Sequence, residues 1–240
     1  MIKKERNIQE RAGRIVGLLL LFLLAAPGLR AQVNGEDKWG SWLMYFGTNR
    51  VSDAFSIHTE AQFRYWEVGS NFNQMLLRTG ANFHLTEQAI ATAGYAYILT
   101  DGSFEEPAGA LDSREHRLFL QFILKNRLRK LAFEHRYRLE QRFISLGDAN
   151  DTQYRARYRL QLTHPINEVF FVNGYDEVFL NLQGNVFGQN RLYLALGAKL
   201  SPEVSVQAGY LKNHFPNAHY DRLQLGVFFN PDFRDKEAAP

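Results

Sequence analysis

From residue 40 to residue 229 the chain alternates apolar and polar positions in stretches of roughly ten residues. A period of two places successive side chains on opposite faces of a strand. The alternating stretches are 40–50, 54–66, 72–84, 88–99, 115–125, 131–143, 152–163, 168–181, 189–200, 203–212 and 220–229. Between them lie short turns ("NRVSD", "TEQ", "NRLR", "HPINE", "SPE") and longer loops ("EVGSN", "DGSFEEPAGALDS", "SLGDAND", "LQGNVFG", "KNHFPNAH"). Long strands joined alternately by short and long connections are the layout of an outer-membrane barrel, with periplasmic turns and external loops. The rival is a secreted β-sandwich, whose strands are usually shorter, about 5–6 residues. The pattern predicts an all-β, transmembrane, antiparallel up-and-down β-barrel. Bacterial barrels normally close with an even number of strands, so eleven segments imply ten strands or, as favoured here, twelve.

The alternation also assigns the faces. In "FEHRYRLEQRF" one parity carries Glu134, Arg136, Arg138, Glu140 and Arg142, and the other carries Phe133, His135, Tyr137, Leu139, Gln141 and Phe143. The next stretch sets Arg155, Arg157 and Arg159 against Tyr154, Ala156, Tyr158, Leu160 and Leu162. A lysine or arginine against mid-membrane lipid costs ~2–4 kcal/mol, so the charged parity faces the lumen. The same split places Glu60, Arg64, Arg78, Glu115, Arg117, Glu177, Arg191 and Arg222 inside. It turns Leu118, Leu120, Phe122, Leu192, Leu194, Leu196, Leu223, Leu225, Val227 and Phe229 outward, with His135 an interface-level exception on the lipid side. Tight "NRLR" and "HPINE" turns would set Arg117 opposite Arg138, Glu115 opposite Glu140, and Arg155 opposite Glu177. Diagonal contacts Arg117–Glu140 and Arg138–Glu115 would then relieve the like-charge pairs. Arginine suits such a network because its planar fork binds carboxylates and stays charged.

Composition narrows the class. The first 31 residues hold six basic and two acidic residues, a net of +4, while the other 22 basic and 23 acidic residues leave −1. A near-neutral body gives no nucleic-acid footprint. The leader has a basic start, an apolar run from Ile15 to Ala26 and then "PGLRA". That run is shorter than the ~20 residues of a spanning helix and fits the core of a signal peptide. The expected organisation is a signal peptide at 1–31, cleaved after Ala31, a barrel at 32–233, and a short polar tail at 234–240. The last strand, "DRLQLGVFF", resembles a C-terminal barrel-insertion signal, although "NPDFRDKEAAP" follows it. An exported barrel of a Gram-negative bacterium has outer-membrane lipids and the barrel-assembly machinery as its partners.

Chemistry is sparse. There is no cysteine, Walker motif or dinucleotide fingerprint, and no cofactor is expected. His58, His84, His116, His164, His214 and His219 show no metal-ligand spacing. No G-x-S-x-G occurs, and no Ser and His are expected to share a face on neighbouring strands near a loop rim, so no catalytic residue is assigned. Asp101, Glu105 and Glu106 sit in the longest loop, where solvation is the simpler reading and weak calcium binding the alternative.

The runs "EHRLFLQ" (115–121), "HRYRLEQRF" (135–143), "RARYRLQL" (155–162), "YDEVFLN" (175–181) and "QNRLYLALGAKLS" (189–201) together resemble the uncharacterised bacterial family called domain of unknown function 2490. The resemblance spans roughly residues 39–229 and implies an outer-membrane β-barrel with no established activity. Its characteristic positions match Glu115, Arg117, Arg136, Arg138, Glu140, Arg142, Arg159, Glu177 and Arg191. The expected function is a barrel whose Arg/Glu lumen acts as a structural plug or as a small channel leaning towards anionic solutes. The alternative is an outer-membrane lipid-modifying or hydrolytic enzyme.

Overall fold

The computed structural model describes residues 35–102, 104 and 113–234. The expected signal peptide, the loop residues Glu105 and Glu106, and all of the tail but Arg234 lie outside them. Eleven strands form one closed barrel: β1 (Trp39–Arg50), β2 (Phe55–Tyr65), β3 (Phe72–His84), β4 (Ala89–Thr100), β5 (Ser113–Leu128), β6 (Leu131–Leu146), β7 (Ala149–Pro165), β8 (Phe170–Asn181), β9 (Phe187–Lys199), β10 (Val204–His214) and β11 (His219–Phe229). Every sequential pair is antiparallel, and β1 closes against β11 in parallel from Trp39↔Asp221 to Gly47↔Phe229.

That seam corrects the strand count. The barrel has neither ten nor twelve strands, because the eleven alternating segments are the whole wall. An odd number of up-and-down strands brings the first and last side by side in the same direction, and a parallel ladder still satisfies every backbone group. The seam is reinforced below β1, where Arg50 donates its N–H to Pro231 O (3.0 Å) and accepts from Phe233 N (2.8 Å). Phe46 and Phe228, opposite one another in the ladder, stack at 4.9 Å.

Two connections differ from expectation. "SLGDAND" is not a loop, since β6 and β7 stay paired out to Leu146↔Ala149 around Gly147 and Asp148. Gly147 supplies the positive φ of 57° that a two-residue hairpin needs. "NRLR" is mostly strand, and β5 and β6 stay paired to Leu128↔Leu131. Arg129 takes the positive φ there, at 55°. Both inferred registers therefore slip. Arg117 lies opposite Arg142 and Gln121 opposite Arg138. On the β7–β8 hairpin Arg155 lies opposite Asn181, and Glu177 faces Arg159. Here Pro165 still belongs to β7, and Asn167 Oδ1 accepts from the N–H groups of Val169 (2.9 Å) and Phe170 (2.7 Å), fixing a turn further along the chain.

The faces fall as the alternation predicts. Leu118, Leu120, Leu192, Leu194, Leu196, Leu223, Leu225 and Val227 are exposed on the outside, and Phe122 and Phe229 are partly so. His135 lies on the outer face, its Nδ1 2.9 Å from the Tyr158 hydroxyl. Residues of the opposite parity make up the interior. That interior is not wholly ionic: Trp42, Tyr193, Ala195 and Leu211 form one buried apolar cluster, and Leu76, Ala96 and Ile98 another.

Candidate functional site: the charged lumen

All sixteen charges assigned to the lumen by parity lie on the inner face, buried or nearly so. They comprise eleven arginines and five glutamates, a net of +6. The densest part is a girdle on β5–β8. Glu140, whose side chain is 0% exposed, meets Arg155 at 2.6 Å and Arg157 at 2.7 Å, with Arg117 at 3.6 Å and Arg138 at 3.7 Å. Glu177 takes Arg136 and Arg157, each at 2.7 Å. Glu115 bridges Arg117 (2.6 Å) and Arg142 (2.8 Å). Arg159 reaches Glu134 at 2.6 Å. Across the barrel, Arg78 pairs with Glu60 at 2.6 Å, and His58 Nε2 lies 3.0 Å from the same carboxylate.

The slipped registers decide which pairs exist. The expected Arg117–Glu140 contact is present. In place of Arg138–Glu115, Arg138 donates to Gln121 Oε1 (2.9 Å from Nε) and approaches Glu140. In place of Arg155–Glu177, Arg155 pairs with Glu140, directly opposite it across β6 and β7. Arg138 faces Arg157 and Arg136 faces Arg159 across the same strands. Such like-charge pairs are unfavourable alone and persist here because carboxylates on the diagonals bridge them.

Sequence reasoning missed the aromatic part of the girdle. Phe179, 1% exposed, has Arg157 at 4.2 Å, Arg191 at 4.7 Å and Arg155 at 5.1 Å from its ring centroid. Phe119, 3% exposed, lies 4.9 Å from Arg138 and 5.5 Å from Arg78. Cations over a ring face are attracted by its quadrupole, so each ring holds guanidiniums that would otherwise repel. The available signal was parity, since Phe119 and Phe179 stand two residues from Arg117 and Glu177.

Three arginines of the set make no ion pair among the described residues. Arg64 is held by Gln62 and Gln74, and Arg191 lies over the rings of Trp42 and Phe179. Arg222 donates to the carbonyls of Lys38 and Asp221. At the turn end of the barrel a recess of about 460 Å³ opens beside Lys125, Arg127, Glu134 and Gln161. A Ser/His pair also occurs, at the turn end of the barrel rather than at the loop rim. Ser56 Oγ lies 2.8 Å from His84 Nε2 on neighbouring strands, and Asn82 Nδ2 donates to the same oxygen at 3.1 Å. Periodicity could not align them, because they lie 28 positions apart. The described residues contain no cluster of three metal-ligating side chains.

A family model for proteins of unknown function, DUF2490, matches residues 39–224. The chain belongs to the DUF2490 family. No curated protein matches it. Among solved structures, this DUF2490 chain is similar to the NanC porin, with a TM-score of 0.50 at 11% identity over 76% of this chain and 89% of that one. Looser likenesses are a porin (TM-score 0.35, 20% identity, 74% of this chain and 58% of that one) and the siderophore receptor PirA from Pseudomonas aeruginosa (0.32, 10%, 72% and 34%). At these identities the likeness concerns fold, and this DUF2490 member is a porin-like β-barrel.

Proposed function

We propose that the protein is an outer-membrane barrel whose lumen is sealed at mid-height by the Arg/Glu girdle, a plugged wall rather than an open pore. The carrying observation is the dryness of the girdle: Glu140 is 0% exposed at its side chain and four arginines from three strands crowd it. A water-filled channel would leave such charges hydrated, whereas here buried carboxylates lie within 4.0 Å of buried guanidiniums. The apolar outer face and the porin-like fold support placement in the outer membrane, with its lipids around the wall and the barrel-assembly machinery acting during insertion. The net of +6 gives any residual passage an anionic preference. The test is single-channel recording of refolded protein in planar bilayers. The wild type is expected to be silent, and the double variant Glu140→Gln/Arg157→Gln to conduct with anion selectivity. Steady wild-type conductance sinks the plug.

A second reading, a hydrolase acting in the membrane, rests on the Ser56–His84 pair. A base within hydrogen-bond reach is what a serine nucleophile needs, yet Ser56 is 0% exposed. Labelling by a serine-directed phosphonate, abolished in Ser56→Ala, is what this reading requires. Without labelling it falls.

A further inference from the structure

The half of the lumen nearest the long loops contains a group of donors, two of them with no acceptor. Gln224, Trp42 and Arg64 lie side by side across three strands, Trp42 being in register with Gln224 on β11 and with Arg64 on β2. All three point inward and are more than nine-tenths buried, at 1%, 4% and 8% exposure. Trp42 Nε1 and Gln224 Nε2 are buried with no hydrogen-bond partner. The Arg64 guanidinium carbon stands 3.8 Å from the Trp42 ring centroid, and that of Arg191, arriving from β9, stands 4.9 Å from it. The two cations are thus no more than 8.7 Å apart. Neither has a carboxylate within 4.0 Å among the described residues, unlike the arginines of the girdle.

A neutral acceptor does occupy part of each guanidinium. Arg64 donates to Gln62 Oε1 (3.0 Å from Nε) and Gln74 Oε1 (2.5 Å from Nη1). Arg191 is served by the amide oxygen of Gln189, turned to lie 2.9 Å from its Nε. Glutamine oxygens satisfy hydrogen-bond geometry but carry no counter-charge, and Glu177, in register with Arg191 across β8 and β9, makes its ion pairs with Arg136 and Arg157 instead. Two close cations in a desolvated interior are costly without a counter-charge, and an orphaned buried N–H costs ~1–3 kcal/mol. A group that only accepts hydrogen bonds and carries negative charge answers both.

We propose that this part of the lumen is a binding site for a small oxyanion, a phosphate or carboxylate group, seated between Arg64 and Arg191 and bonded by the N–H groups of Trp42 and Gln224. Its place follows from the fold: Arg64 is the penultimate residue of β2, Trp42 the fourth of β1 and Arg191 the fifth of β9, all near the loop end. The site adjoins the girdle, since Arg191 also lies over Phe179 and is in register with Glu177, and the proposal holds whether or not the girdle conducts.

The test uses refolded full-length mature barrel in detergent, with inorganic phosphate titrated against chloride at constant ionic strength. Thermal unfolding and tryptophan fluorescence are followed. The wild type is expected to show a saturable rise in unfolding midpoint, as a ligand specific for the folded state produces. Arg64→Gln and Arg191→Gln should abolish it. Trp42→Phe keeps the ring and removes the N–H, and should raise the half-saturating phosphate concentration about tenfold. Arg234→Gln, outside the lumen, should respond as the wild type does. Folding of each variant is checked by its gel mobility before and after boiling. No phosphate-specific shift in the wild type overturns the proposal. So does an unchanged response in folded Arg64→Gln or Arg191→Gln. If neither arginine variant folds, an unchanged half-saturation in Trp42→Phe overturns it.

Discussion

At the scale of single residues, the lumen shows how eleven arginines can be buried with five glutamates. Glu115, Glu140 and Glu177 are each shared between arginines, and the phenyl rings of Phe119 and Phe179 lie among cations that would otherwise repel. Glu140 is the hub, and its loss leaves several desolvated cations uncompensated. Glu140→Gln is expected to destabilise the barrel by ~3–5 kcal/mol, read as the shift in urea unfolding in detergent micelles. Adding Arg155→Gln should restore part of that, since the pair is then removed together. Additive losses would show these charges to be independently solvated. Arg234, whose ion pairs with Asp53 and Asp232 are at the surface, serves as the control, and Arg234→Gln should leave the unfolding curve in place. Parity in the sequence was enough to sort all sixteen charges to one side. It could not name the partners, because a slip that moves the facing residue by four positions keeps every side chain on its own face. Arg117 faces a lumen charge in either register, Arg138 in the expected one and Arg142 in the observed one.

At the scale of elements, strand existence was legible and strand ends were not. Stretch 72–84 coincides with β3, while β5 runs on to Leu128 because Arg129 accepts the strained turn conformation, and β6 runs on to Leu146 because Gly147 does so at the next turn. A left-handed backbone costs a non-glycine residue ~1–2 kcal/mol, so Arg129→Gly is expected to be neutral or stabilising by up to ~1 kcal/mol in the same urea assay. Clear destabilisation would contradict the turn. Within the wall, Gly94 lets strands and an aromatic ring close in. A Cβ there would stand 2.5 Å from both Thr79 O and the Phe119 ring. Gly94→Ala is expected to cost ~1–3 kcal/mol through overpacking. On the opposite face, Leu120→Arg should cost ~2–4 kcal/mol if Leu120 lies against mid-membrane lipid. Tolerance of arginine at 120 would mean that the wall is inverted.

At the scale of the whole molecule, the family resemblance read from the motifs was right about the fold, and the even-strand expectation was wrong. Nothing in alternation reports how a barrel closes, since the seam joins β1 to a strand some 180 residues away and pairs them in a direction that no hairpin produces. The seam also separates the two ends of the barrel chain. Lys38 and Glu36 meet Glu67 and His219 at the loop end, whereas Asp232 and Arg234 meet Arg50 and Asp53 at the turn end. If the barrel sits in the outer membrane with its long loops outside the cell, Glu36 and Lys38 lie on the surface side and Asp232 and Arg234 on the periplasmic side. An epitope inserted after Gln32 should be labelled on intact cells, and one appended after Arg234 only once the outer membrane is breached. Labelling of both on intact cells would refute this orientation. An even-stranded barrel has the outer ends of its first and last strands on one rim, but here they lie on opposite rims. A segment joined ahead of β1 and one joined behind β11 would therefore be held apart by the full height of the wall.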